Sequence, residues 1–148
     1  MAQEDQAAMI KSIFALQERR VAVYKKLEQG HEEYLTKSPN YDFPTYRQVV
    51  HECTEEFAQV SQEIIDIEKK FTELDKTEVA GYIRKIQELE KEKLDITAAF
   101  QLSKQKVLDE PHCSEHEEEK TQLKQKLNSL ISSIAENLEN LKYEMEGL

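Results

Sequence analysis

Apolar residues recur every three or four positions along almost the whole chain, a rhythm that predicts long amphipathic helices. The first run covers about residues 4–36. Its stripe is Met9, Ile13, Leu16, Val23, Leu27, His31 and Tyr34, with Arg20 filling one slot. Ile10, Phe14, Val21 and Tyr24 widen that face. Gly30 costs about 1 kcal/mol inside a helix relative to Ala. The stripe continues past it, so the favoured reading is one helix with a weak point there. The alternative is a stop at Gly30 as a C-cap, followed by one further turn.

The second run, about residues 44–75, is the most regular. Tyr46, Val50, Cys53, Phe57, Val60, Ile64, Ile67, Phe71 and Leu74 alternate steps of four and three without a miss. That is a heptad seam, which packs knobs into holes against a partner helix. At 1.5 Å per residue the helix is about 45 Å long. The third run, about 77–108, places Val79, Tyr82, Ile86, Leu89, Ile96, Phe100 and Val107 on one stripe, with Lys93 and Ser103 in two slots. Ile83, Leu94 and Leu102 lie beside it. The fourth, about 115–146, carries Leu123, Leu127, Leu130, Ile134, Leu138, Leu141 and Met145, flanked by Ile131.

The breaks between the runs have their own chemistry. Pro39 and Pro44 cannot lie inside a helix, so residues 38–44 form a linker, with Asp42 as N-cap and Pro44 in the first turn of the next helix. Asp75 with Glu78 fits a capping box, and Thr77 is the rival cap. Asp109–Ser114 contains Pro111 and forms the second long linker; Ser114 with Glu117 is another capping-box candidate. Four helices joined this way imply an all-α, antiparallel four-helix bundle, or long helical hairpins with coiled-coil packing, in one domain over 1–148. Two other arrangements stay open: a three-helix core with the first helix as a mobile arm, and a homodimeric coiled coil.

Composition narrows the function. With 148 residues and only three Gly and three Pro, the chain suits a single domain of long elements. The formal charge is −10, and no segment is strongly basic: residues 77–108 reach only +1, while 109–148 carry −6. Direct nucleic-acid binding is therefore not expected, because phosphate backbones need clustered positive charge. The start MAQEDQAAMI has no apolar run and no Arg-rich character, and no stretch approaches the roughly 18 apolar residues of a membrane span. The expectation is a soluble intracellular protein, in nucleus or cytoplasm, with reduced thiols.

Candidate chemistry is sparse. His112, Cys113 and His116 lie close, but a structural zinc site needs four ligands and Cys53 belongs to the helix-two seam, so no metal is expected. Cys53 reads as a small buried hydrophobe. The run Glu115, Glu117, Glu118, Glu119 is a solvated helix start favoured by the dipole, not a catalytic carboxylate pair. No phosphate-binding loop or nucleophile motif occurs, so neither catalysis nor a cofactor is expected. Lys91, Lys93, Lys104 and Lys106 make helix three the most positive face, able to pair with the acid of helices two and four.

One cluster stands out. His31, Tyr34, Tyr41, Asp42, Phe43, Tyr46, Arg47 and His51 gather aromatics, an Arg and imidazoles around the first linker. That composition suits a protein-binding hot spot, while the alternative is an aromatic plug closing the bundle end with Asp42 as a plain cap. The segments Leu27–Leu35 (LEQGHEEYL), Tyr41–Arg47 (YDFPTYR) and Val50–Glu52 (VHE) resemble the Required for excision 1-B domain family. The resemblance covers about 26 residues tightly and implies a eukaryotic protein linked to DNA excision repair. It supplies no catalytic residues. Combined with the acidic charge, it favours action through a protein partner.

Overall fold

The computed structural model describes residues 2–148, and among them every regular element is helical. The helices are α1 (Gln3–Thr36), α2 (Phe43–Glu73), α3 (Thr77–Asp109) and α4 (Ser114–Glu146). Contacts between helices fix their directions. Lys26 meets Glu52 while Arg19 meets Glu63, Tyr46 meets Gln101 while Glu68 meets Arg84, and Phe100 meets Lys124 while Leu89 packs with Leu130 and Ile134. Consecutive helices therefore run antiparallel. α1 packs beside α2 and α4, and α3 packs beside the same two, so α1 and α3 lie diagonally across an antiparallel four-helix bundle.

The core has two regimes. At one end all four helices share a single cluster built on Ile10, Ile13, Ile64, Phe71, Ile83 and Leu141, each fully buried. Each such side chain contributes about 1.5–3 kcal/mol before entropy is counted. Toward the other end the core divides. Val23, Tyr24, Leu27, Cys53 and Phe57 hold α1 to α2, while Leu89, Leu130 and Ile134 hold α3 to α4. The α2 seam turns wholly inward, and none of its nine positions is exposed. α1 is docked by the same mechanism, so no mobile arm is needed. Cys53 is 1% exposed and packs as the expected small hydrophobe. The flanking residues Val21, Leu102 and Ile131 differ from the stripes beside them and are about half exposed.

Gly30 does not end α1, which is continuous through it. A Cβ built there would lie 2.7 Å from Val49 Cγ1. Gly30 thus lets the backbones of α1 and α2 approach closely beside the aromatic cluster. Asp42 caps α2 as expected, accepting from the Thr45 backbone N–H at 3.3 Å and from its hydroxyl at 2.7 Å. Two other capping expectations are corrected. Asp75 does not cap α3; it sits at φ 60 just past the end of α2. There its N–H bonds Thr72 O at 3.1 Å and the Lys76 N–H bonds Phe71 O at 2.9 Å, which closes α2 in a Schellman motif. Neither Asp75 nor Thr77 gives α3 a side-chain cap, and its N-cap position is Lys76. Ser114 lies one residue inside α4, whose N-cap position is Cys113, again with no side-chain cap. The local backbone hydrogen bonds of the preceding turns win over the sequence pattern in both places.

Two substitutions test these positions by thermal unfolding. Gly30→Ala gains about 1 kcal/mol of helix propensity but overpacks against Val49, a β-branched side chain with one preferred helical rotamer, at about 1–3 kcal/mol. The melting temperature of Gly30→Ala is expected to fall, and Gly30→Ala/Val49→Ala to recover much of the loss. Asp75→Gly removes the steric cost of left-handed backbone and is expected to stabilise by about 0.5–1 kcal/mol.

Candidate functional site

The first linker brings the C-terminus of α1, the N-terminus of α2 and the C-terminus of α3 to one end of the bundle. His31 and Tyr34 continue the inner stripe of α1, and Tyr46 opens the α2 seam, so periodicity alone aims all three inward. Their rings meet: Tyr34 stacks on Tyr46 at 4.7 Å and on Tyr41 at 4.6 Å, and His31 lies 5.3 Å from Tyr46. Tyr46 donates to Gln101 Oε1 at 2.6 Å, and Tyr41 donates to Asp109 Oδ1, which ties the linker to α3.

Burial sets the electrostatics of this plug. His31 is 2% exposed, and its Nδ1 has no hydrogen-bond partner. Burial, aided by the Lys104 charge, lowers its pKa to about 4, so the ring is neutral at physiological pH. Burial likewise raises the Tyr46 hydroxyl to about 12, with Tyr34 and Cys53 adding to the effect. The remaining cluster members face water. Phe43 is 54% exposed at the first turn of α2. Arg47 is exposed, and His51 pairs with Glu55 at 3.2 Å on the surface. Asp42 is committed to capping, and hydrogen bonds from Thr45, aided by Lys37, hold its carboxyl below the usual range. The eight residues therefore divide into an interior plug (His31, Tyr34, Tyr46, with Tyr41 at its edge) and an outer set (Phe43, Arg47, His51) around the Asp42 cap.

A second polar site was not visible as a constellation in the sequence. Arg20, 3% exposed, occupies the apolar stripe of α1 and reaches across the bundle. It donates to Gln17 Oε1 at 2.6 Å, to Ser61 Oγ at 2.9 Å and to Gln87 Oε1. Its Nε lies 3.7 Å from Glu90 Oε2, and Glu90 is itself 7% exposed. Gln87 also donates to the Ser61 carbonyl at 3.2 Å. Desolvation lowers the Arg20 pKa, opposed by Glu90, and raises that of Glu90, opposed by Lys93 and Arg20. The one available signal was a charged residue in a seam slot. The lysine face of α3 also differs from expectation: Lys93 Nζ sits 4.0 Å from the Tyr24 ring centre and Lys104 Nζ 5.2 Å from that of Phe100, rather than in ion pairs with α2 or α4. Across the second linker, His116 in the first turn of α4 lies 3.4 Å from Glu110.

With this geometry in place, comparison with known proteins is decisive. The sequence model described as DNA repair REX1-B matches residues 8–104, about two thirds of the chain, including the plug, the cap and the Arg20 network. The chain belongs to the DNA repair REX1-B family. It is 36% identical over 143 residues to a Required for excision 1-B domain-containing protein of Mus musculus, covering 95% of this chain and 82% of the relative. A protein of the same description from Bos taurus is 33% identical over 142 residues, covering 94% and 76%. No solved structure matches significantly. Among the described residues of this REX1-B chain, no helix is long and apolar enough to cross a membrane.

Two measurements probe the buried groups. Arg20→Leu leaves Glu90, Gln17 and Gln87 without their shared donor and is expected to destabilise by about 3–5 kcal/mol; Arg20→Leu/Glu90→Leu is expected to regain a substantial part, read by urea unfolding. For His31 the ordinary value of 6.5 is lowered to about 4, so between these values the unfolded chain binds the extra proton. Its contribution to stability is complete above pH 6.5 and is lost as the pH falls toward 4. His31→Phe is expected to flatten that part of the stability curve relative to wild type.

Proposed function

We propose that this REX1-B protein is a non-catalytic adaptor of excision repair that acts through a protein partner docked at the linker end of the bundle. The observation that carries this reading is the division of the aromatic cluster. The plug immobilises the segment 41–46 from beneath, which leaves Phe43 half exposed beside Arg47 and His51 on the rigid first turns of α2. An exposed aromatic next to an exposed Arg on a pre-ordered backbone suits an interface anchor, because little entropy is lost on docking. The net charge of −10 works against phosphate binding. The family's repair role is then met by contact with another protein, in the nucleus where excision takes place. The α2 heptad seam is consumed inside the chain, so it lends no support to a self-associating coiled coil.

The test is a Phe43→Ala/Arg47→Glu variant, introduced into cells lacking the endogenous protein. Survival after ultraviolet irradiation and cross-linked partners are both scored, with circular dichroism to verify the fold. Loss of survival and of the same cross-linked partner, with helicity intact, is the expected result. Full survival together with unchanged cross-linking would remove this surface from the mechanism.

A further inference from the structure

Of the neighbouring helices in the bundle, α1 and α4 are the least closely packed. α1 and α4 meet at the shared core but separate beyond it, so α3 becomes the floor of a groove between them. Two adjoining cavities, of about 310 and 360 Å³, share Lys93 and Ile131 and make this groove continuous. It runs along α1 from Phe14 to Glu32. At 1.5 Å per residue that is about 27 Å, the length of five helical turns. Val21 and Ile131, 50% and 48% exposed, belong to its opposite walls, and Phe100 and Leu127 extend the apolar surface.

The groove carries opposite charges across its width. Glu18, Glu28 and Glu32 belong to the α1 wall, while Lys93, Lys104 and Lys124 belong to α3 and α4. Among the described residues none of these six makes an ion pair within 4.0 Å; Lys93 rests on Tyr24, and Lys104 and Lys124 both lie over Phe100. On the floor Gln101 is 5% exposed; Tyr46 occupies its amide oxygen, and its nitrogen has no acceptor.

We propose that the α1–α4 groove takes an amphipathic helix of a partner protein, basic along one flank and acidic along the other. Such a helix buries its apolar face against Val21, Ile131 and Phe100, and pairs its basic flank with the glutamates and its acidic flank with the lysines. A polar side chain on its inner face supplies the acceptor for Gln101. The groove is separate from the Phe43–Arg47–His51 surface. A second copy of the chain is a poorer occupant, because two molecules of charge −10 repel one another.

Three fluorescein-labelled helical peptides of about 18 residues, with one shared leucine face, test the proposal at physiological salt. One carries Lys on one flank and Glu on the other, the second Glu on both, and the third Lys on both. The mixed peptide is expected to bind at least tenfold tighter than either of the others. Val21→Glu/Ile131→Glu should weaken it tenfold or more, while Phe43→Ala/Arg47→Glu leaves it unchanged. Lys104→Glu/Lys124→Glu, which reverses charge and leaves Val21 and Ile131 in place, should transfer the preference to the all-lysine peptide. Equal binding of the three peptides, or indifference to both groove variants, overturns the proposal. So does light scattering that finds a wild-type dimer converted to monomer by Val21→Glu/Ile131→Glu, since the occupant is then a second copy. Failure of the wild-type protein to bind any of the three peptides, with repair still dependent on Phe43 and Arg47, would reject the groove alone.

Discussion

A guanidinium shielded from water must find acceptors, and the position of Arg20 forces three helices to provide them. Gln17 comes from α1, Ser61 from α2, and Gln87 and Glu90 from α3. The network lies where the shared four-helix core gives way to two smaller clusters, one centred on α1–α2 and one on α3–α4. Apolar side chains alone tolerate sliding of one helix past another, because their attraction has no direction. Directed bonds do not, and a slip of one turn would leave a buried charge uncompensated. The network therefore fixes the register of α1, α2 and α3, and through it the meeting of His31, Tyr34 and Tyr46 three turns away.

Much of this was legible in the sequence. The uninterrupted four-three alternation from Tyr46 to Leu74 could only be a helix with one hidden flank, and all nine positions turn away from water. The layout of the aromatic cluster was partly legible in the same terms: His31 and Tyr34 continue an inner stripe and Tyr46 begins one, and Arg47 and His51 lie off the seam, whereas Phe43 falls in its register three places before Tyr46 and is nonetheless 54% exposed at the first turn of α2. Other features were not legible, for physical reasons. Glu90 follows Leu89 on a helix crowded with charged residues, and only the guanidinium from a distant segment distinguishes it from a solvated neighbour. Asp75 has the composition of an N-cap, yet the termination of α2 claims its backbone first. Val21 and Ile131 read as apolar flanks of buried stripes. Their exposure follows from the divergence of α1 from α4, a property of the assembled bundle that no single helix encodes.

The charge distribution supports the proposed reading of a protein partner. A strongly acidic chain is badly suited to follow a phosphate backbone, but it can keep a small number of unneutralised lysines in a recess. Lys93, Lys104 and Lys124 are held there over aromatic rings, where the ring faces stabilise ammonium groups without cancelling their charge. The excess of acid elsewhere discourages anionic polymers from the rest of the surface.

The divided core also has a mechanical consequence. Where Ile10, Ile64, Ile83 and Leu141 belong to one cluster, no helix can leave without exposing the other three. Beyond the Arg20 layer the two hairpins are joined instead by Leu94 of α3 packed on the α1–α2 cluster, by Lys93 on Tyr24 and by the bonds of Tyr41 and Tyr46 to Asp109 and Gln101. One pole is thus held by undirected apolar packing, and the linker pole by stacked rings and directed hydrogen bonds.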